Sequence, residues 1–490
     1  MNFLLVWFII SPVLIAGLLF LFKRYILDFG FLILLTFSSF NCLLTIFVYK
    51  EIYRTGHIIY RIGNWSAING IVLLADKFSI FILLIVQILF LAALFFSKGY
   101  VQEKQIKYFS FFYLLQAGLA GMTLTTDLFN MFVFLEIVSL VSYALVTYEK
   151  DDLAFEAGFK YIIIGSVASL IIFWGIGVVY AVNHNLNLAL IGESFDQVSQ
   201  VVKAAIFIAF FVGFSIKFSL FPFHPLAPDA YSSAPSPISA ILSGIVGKVQ
   251  IYSLIRIYIS LFNIEYLHQY NFDNIIILLG GLTVLVGHLM AIKQTNLKRL
   301  LAYSSIAHMG YIVIGIGCIS AKSIIGALYH MVNHGILKAG LFFIAGSLIY
   351  KLNIKEIADL KGLYYRNRYL GVLFFLLSLG MIGIPPLNGS LSKWLIIMGA
   401  MSSENYLSAS IVALGTLLAV IYYMRINLLI FTRVSVEKFD IDFLFFLPIV
   451  SMVILSLVLF FYGNSVYPIL NDILETLTNN SGYIKAILNS

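Results

Sequence analysis

Apolar residues fill this chain in runs of about twenty, and the connections between the runs are short and polar. An α-helix needs about 17 to 25 apolar residues to cross the hydrocarbon core of a bilayer. Fourteen runs meet that length, with approximate edges 3–22, 28–49, 77–97, 108–126, 128–148, 157–182, 202–221, 236–262, 273–292, 299–319, 323–350, 369–400, 405–432 and 441–462. The ten-residue alternating segments of a membrane barrel are absent. The pattern predicts an all-α polytopic membrane protein of about 14 transmembrane helices. Beyond the last run, Val466, Leu470, Ile473, Leu474 and Leu477 recur at helical spacing among polar residues, which predicts a short amphipathic helix on the membrane interface within 464–490.

Composition agrees with that class, since 61% of the 490 residues are hydrophobic and only 11% charged, too few to cover a water-soluble globule. Charge then orients the chain. The face reached after the first run carries about sixteen Lys and Arg, among them Lys23, Arg24, Lys98, Lys104, Lys293, Arg299, Lys355, Arg366 and Arg368, against about seven on the other. The positive-inside bias makes the first face cytoplasmic and puts both termini outside. The first run has no basic residue before it and no small-residue cleavage site after it, so it reads as a retained helix. Topology also accounts for the net charge of +7, which excludes nucleic acid as a partner. Cys42 and Cys318 both fall inside runs, with no CxxC or His/Cys ligand spacing. No disulfide framework, metal site or cofactor is expected.

Two runs are interrupted in the same way. Five of the ten prolines crowd into 222–237, and "FSLFPFHP" (218–225) lies over "MIGIPPLN" (381–388) so that Pro222 meets Pro385. The preceding helices, from Lys160 and from His330, share length, a glycine at the sixth position and a final Tyr. The chain thus reads as one transmembrane domain, 1–490, containing a five-helix unit (108–262) repeated as 273–432. An odd number of spans inverts the second copy. Proline leaves carbonyls unpaired in the preceding turn, and lipid cannot satisfy them. The segments 221–228 and 384–390 should therefore face a hydrated interior.

Ionisable residues fall inside the runs: Glu136, Lys217, Lys248, His308, His330, His334, Lys338 and Lys393, with His224 in the first break and His288 in the ninth run. A central Lys or carboxylate costs about 2.5 to 3.5 kcal/mol to insert. These groups must therefore pair or meet water, and titratable groups joined by water conduct protons. His330, His334 and Lys338 lie at i, i+4 and i+8, one stripe of a single helix. Glu136 can be the counter-ion of one lysine only, and Lys217 is the expected partner. Glu156 and Lys160 form a local ion pair. Two other classes compete: a haem- or quinone-binding redox subunit built on the histidines, and a hydrolase using His224, Asp229 and Ser232 or Ser233. Four-residue spacing puts two histidines on one side rather than around a haem, and no nucleophile elbow or HExxH motif accompanies the serines.

The segments "TTDLFNMFVFLEIVSLVSYALV" (125–146), "EAGFKYIIIGSVAS" (156–169), "FPFHPLAPDAYSSAPSPISA" (221–240), "LKRLLAYSSIAHMGYIVIG" (297–315), "HMVNHGILKAGLFF" (330–343) and "GIPPLNGSLSKW" (383–394) together resemble the antiporter-like subunits of respiratory complex I, membrane-bound hydrogenases and Mrp-type multisubunit Na+/H+ antiporters. The resemblance covers roughly 70–435, and "DLFNMFVFLEI" looks most like the D-type subunit or its hydrogenase equivalent. It implies proton transfer through Glu136 of the fifth helix, Lys217 of the broken seventh, Lys248 of the eighth and Lys393 of the broken twelfth. His330, His334 and Lys338 match the polar eleventh helix between two half-channels. It also implies other membrane subunits as partners, and H+ and Na+ as the ions. Leu226 stands where many members have Trp, and Ser390 where a larger apolar residue is usual.

Overall fold

The computed structural model describes the chain except residues 1, 22–29, 103–104, 150, 263, 436, 479–483, 485–486 and 488–490. Lys23, Arg24, Lys104 and most of the expected interfacial tail beyond 478 lie outside the described residues. Among those described, twelve helices are long and apolar enough to cross a membrane. The protein is an all-α, multi-pass membrane protein.

The longer helices are α1 (Leu4–Leu21), α2 (Gly30–Thr55), α3 (Lys77–Tyr100), α4 (Gln105–Leu124), α5 (Leu128–Val146), α6 (Asp152–Asn183), α7 (Gln200–Lys217), α8 (Ser236–Leu261), α9 (Phe272–Ile292), α10 (Leu297–Gly317), α11 (Ala321–Leu352), α12 (Arg368–Ile382), α13 (Gly389–Ser402), α14 (Tyr406–Phe431), α15 (Phe443–Phe461) and α16 (Gly463–Thr478). The sequence marks many of their starts. Asp127, Asp151, Asn296, Asn367 and Asn405 each accept a hydrogen bond from the amide three residues on, at 2.7–3.1 Å. Each satisfies a first-turn N–H that the helix itself leaves unpaired.

Two of the expected spans differ in detail. The expected span 108–126 is α4, a helix that falls outside the twelve because Gln105, Lys107 and Gln116 dilute its apolar character. Buried Gln116 instead donates to Gln87 of α3 at 2.6 Å. The expected span 369–400 is two helices, α12 and α13, separated by 383–388.

The connection between α2 and α3 carries a two-stranded antiparallel ribbon, β1 (Ile58–Arg61) paired with β2 (Val72–Ala75). Its backbone is tied down by the Thr126 amide donating to the Val72 carbonyl at 3.1 Å. The tail helix α16 packs on α3 and α11, burying Leu470, Ile473, Leu474 and Leu477. Lys77 and Asp472 pair at 3.1 Å beside it.

Helices α8, α10 and α11 form the centre, buried along most of their length. By contrast α6 and α14 present Leu170, Trp174, Leu417 and Leu428 outward, as a lipid- or subunit-facing wall requires. At the centre the backbones of α8 and α11 touch. A Cβ on Gly335 would sit 2.8 Å from the Gly244 carbonyl oxygen, so small residues set the spacing there.

Candidate functional site

Helix α7 ends at Lys217, and its last carbonyls are taken up locally: the amides of Phe218 and Leu220 donate back to Phe214 and Ser215 at 3.0 and 2.8 Å. The chain stays non-helical until Leu226. This termination leaves the Lys217 side chain, 3% exposed, pointing among α5 and α6. Its ammonium donates to Ser139 at 2.8 Å and Ser169 at 2.7 Å, and lies 3.6 Å from the Glu136 carboxylate. Ser169 in turn donates to Glu136. Two hydroxyls therefore stand beside a direct ion pair, and Ser169 bridges the lysine and the carboxylate.

Lys248 is fully buried in α8, immediately after one wide turn, Leu242–Val246, with π-type bonding. Such a turn shifts carbonyls out of the regular ladder, and the Ser243 carbonyl accepts from the Lys248 ammonium. Ser243 also shares a 2.7 Å hydrogen bond with Ser305 of α10, which reaches the next polar layer.

That layer is built on α10 and α11. His308 and His330 are joined nitrogen to nitrogen at 3.0 Å, and His330 bonds Ser392 of α13 at 2.9 Å. The His334 ring stacks on His308 with centroids 5.0 Å apart. One turn further, Lys338 donates to the Leu301 carbonyl at 2.7 Å and contacts the Tyr423 hydroxyl at 3.4 Å.

The second break holds Lys393. Helix α12 ends at Ile382, and the carbonyls of Met381 and Ile382 each accept from the Lys393 ammonium at 2.9 Å. These are the orphan acceptors of a helix C-terminus, whose dipole favours a cation. The ring of Tyr311 covers the other side, its centroid 4.9 Å from Nζ. Asn388 bonds Asn333 of α11, and Ser456 of α15 bonds Asn388 at 2.7 Å, fixing the non-helical segment from both sides.

Of the ten ionisable candidates, Lys217, Lys248, His308, His330, His334, Lys338 and Lys393 thus occupy four buried polar sites, and Glu136 stands half-buried at the edge of the first. His224 does not join them by hydrogen bond: it sits half-buried in 218–225 with its ring stacked on Phe221. Glu156 and Lys160 pair at 2.6 Å, and Lys160 also reaches Asp229 at 3.2 Å. Asp229 is further held by Arg299 at 2.9 Å, while Ser232 donates to the Pro228 carbonyl at 2.7 Å. These serve structure and give no triad with His224. Among the described residues no three His, Cys, Asp or Glu side chains are placed to hold a metal.

Sequence reasoning missed Ser139 and Ser169, the hydroxyls around Lys217. It also missed a second polar cluster around His288, formed by Tyr311, Tyr422, Tyr423 and Ser304. A third omission is the buried ion pair between Asp76, which caps α3, and Arg256 of α8.

Comparison with known proteins gives one consistent answer. The model of a family described as NADH:quinone oxidoreductase/Mrp antiporter, transmembrane part, matches residues 125–421. The chain is similar to the D-type subunit of the Na(+)/H(+) antiporter of Alkalihalophilus pseudofirmus, 31% identical over 455 residues that cover 91% of each chain. It is similar too to the N-type subunit of the NADH-quinone oxidoreductase of Desulforudis audaxviator, 34% identical over 376 residues, 75% of this chain and 74% of that one. Among solved structures, a chain of an archaeal respiratory membrane complex, the membrane-bound sulfane sulfur reductase, superposes with a TM-score of 0.94 at 26% identity, covering 99% of this chain and 100% of that one. A chain of the Mrp complex from Dietzia sp. DQ12-45-1b gives 0.91 at 21% identity, with 99% of both covered.

Proposed function

The chain belongs to the NADH:quinone oxidoreductase/Mrp antiporter family, and from that premise we propose that it is the D-type subunit of a multisubunit cation/proton antiporter, moving H+ in exchange for Na+. Its role is transport rather than catalysis, as an antiporter-like cation-translocating subunit with a buried network of charged residues.

In this reading a proton from the cytoplasm loads Lys217 under the control of Glu136 and passes to Lys248. It then follows His308, His330, His334 and Lys338 to Lys393 and the outside, or runs in reverse when the proton gradient drives sodium export. His224 serves the cytoplasmic mouth. A full crossing is worth about 2.3 kcal/mol per charge per 100 mV. The observation that carries the proposal is the Lys217 site: an ammonium shared between a carboxylate and two hydroxyls at the end of a helix. Movement at the adjacent non-helical segment would change those distances, and with them the hold on the proton.

The proposed topology has fourteen crossings, with broken seventh and twelfth spans, both termini outside, and two inverted units within one domain. Matching loop closures favour the repeat. The Leu128 amide donates to the Leu186 carbonyl, and the Leu297 amide to the Lys355 carbonyl, both at 2.9 Å. Each pair is 58 residues apart, 128 to 186 and 297 to 355, and each closes around a 32-residue helix, α6 or α11.

Glu136 supports the proposal of partner subunits. Its side chain is 31% exposed, flanked on α5 by outward-facing Val133 and Leu140. A carboxylate against lipid at that depth costs about 2.5 to 3.5 kcal/mol, and a neighbouring subunit offering polar groups removes the cost. The alternative host is a redox-driven complex, favoured by the likeness to the quinone oxidoreductase subunit and to the sulfane sulfur reductase chain. The test is Lys217→Ala in the assembled complex. Ion exchange should vanish while the subunits still co-purify, and wild-type exchange would refute the assigned route. Co-purifying iron–sulfur or hydrogenase subunits would decide for the redox-driven host.

A further inference from the structure

The layer between Lys338 and Lys393 contains a hydrogen-bonded chain that the histidine stripe does not include. Lys338 Nζ contacts Tyr423 Oη at 3.4 Å, and Tyr423 shares a 3.2 Å bond with Ser304. Tyr422 Oη lies 3.0 Å from the same Ser304 oxygen and 3.2 Å from His288 Nδ1. His288 Nε2 then bonds Tyr311 Oη at 2.8 Å, and the Tyr311 ring is the one that covers the Lys393 ammonium. All six side chains are buried at 0% exposure.

We propose that this chain is a proton relay from Lys338 towards Lys393, running beside the His308–His330 pair, with His288 as its intermediate carrier. The proposal rests on the proton-translocating function proposed above. Protonated Lys338 gives a proton to Tyr423. The Tyr422 hydroxyl, which donates to Ser304 at rest, first turns its hydrogen to His288 Nδ1; each hydroxyl then passes on the hydrogen it carries, Tyr423 to Ser304, Ser304 to Tyr422, and Tyr422 to His288 Nδ1. Lys338 is left as the neutral amine and His288 as imidazolium, so one proton has moved and every hydroxyl is restored. The imidazolium holds the transferred proton, with its Nε2 hydrogen bonded to Tyr311 Oη, at the edge of the ring that covers Lys393.

The construction of the site fits a conducting role better than simple packing. Three helices besides α11 contribute one or two groups each: α9 gives His288, α10 gives Ser304 and Tyr311, and α14 gives Tyr422 and Tyr423. Consecutive tyrosines on α14 point at the same serine, which links groups that neither could join alone. Gly415 of α14 leaves the space for the Tyr311 hydroxyl, because a Cβ there would lie 2.5 Å from that oxygen. Larger residues would push the end of the chain aside.

The test compares Tyr422→Phe, Ser304→Ala and Lys338→Ala in the assembled complex reconstituted into vesicles. Each relay variant removes one oxygen and keeps the fold's shape. Tyr113→Phe, which removes a buried hydroxyl bonded to Ser38, is the structural control. A positioned proton-transfer group contributes about 10²- to 10⁴-fold, and the parallel histidine route remains, so Tyr422→Phe and Ser304→Ala should slow exchange about tenfold. The apparent KM for the counter-cation should hold, the D2O rate effect should change, and Tyr113→Phe should match wild type. Wild-type rates from both relay variants alongside a silent Lys338→Ala would overturn the relay and leave the proposed function standing. Wild-type rates from Lys338→Ala as well would overturn both. Should Tyr422→Phe fail to assemble, Ser304→Ala decides.

Discussion

Replacing Glu136 by Gln keeps the size of the side chain and an acceptor for Ser169 but removes the charge that Lys217 faces at 3.6 Å. Two unit charges at that distance attract by about 4 to 5 kcal/mol at an effective dielectric constant near 20. The carboxylate is 31% exposed, which cuts the figure roughly in half, to about 2 to 3 kcal/mol. If the charged lysine is the carrier, that loss lowers exchange roughly 30- to 150-fold. The assay is sodium-driven collapse of a preset pH gradient in vesicles holding the assembled complex, followed by a pH-sensitive dye. Glu136→Asp, which keeps the charge one methylene further back, should fall between wild type and Glu136→Gln. Exchange at the wild-type rate by Glu136→Gln, with all subunits present, would refute the reasoning, because the lysine would then need no counter-ion.

Three further outcomes are expected. Gly335→Val drives a side chain into the α8 backbone and should destabilise the protein by about 1 to 3 kcal/mol, read as a lower melting temperature in detergent. Arg256→Met strands the Asp76 carboxylate and should cost about 3 to 5 kcal/mol. Burial pushes that carboxyl up, but the Arg256 charge and the Ser79 hydrogen bonds prevail and hold it below its ordinary 3.8. The pair's contribution is therefore complete above about pH 4 and fades as pH falls below it, so Asp76→Asn should flatten the acid limb of the stability profile. With Cys42 and Cys318 replaced, single cysteines at Lys361 and Ser403 should react with an impermeant thiol reagent from the cytoplasmic and outer side respectively, and the reverse would invert the proposed topology.

The membrane helices were legible because burial in hydrocarbon requires long apolar runs, and the ionisable candidates because charge in such a run is costly enough to stand out. Hydroxyls carry no such signal. Ser139 and Ser169 each stand within hydrogen-bonding distance of the carbonyl four residues back, at 2.8 and 3.0 Å, as an ordinary helix serine does. Only the approach of α5, α6 and α7 reveals Lys217 between them. Tyr422 and Tyr423 likewise read as aromatic packing. Asp76 and Arg256 are 180 residues apart, and no periodicity links them. The β ribbon was hidden because its strands are four residues long, too short to separate from loop. His224 stood out by residue type and by its neighbouring prolines, whereas the stacking of its ring on Phe221 carried no such mark. The tail showed its helical spacing in full, but not that α3 and α11 would cover its apolar face.

The contact between Gly244 and Gly335 has a mechanical meaning. Lys248 lies one turn along α8 from it, and His334 is the adjacent residue on α11. With main chain against main chain, there is no side chain whose rotamer could absorb a sliding displacement. The glycine contact therefore sets how closely α8 and α11 approach, and with it the spacing between Lys248 and His334.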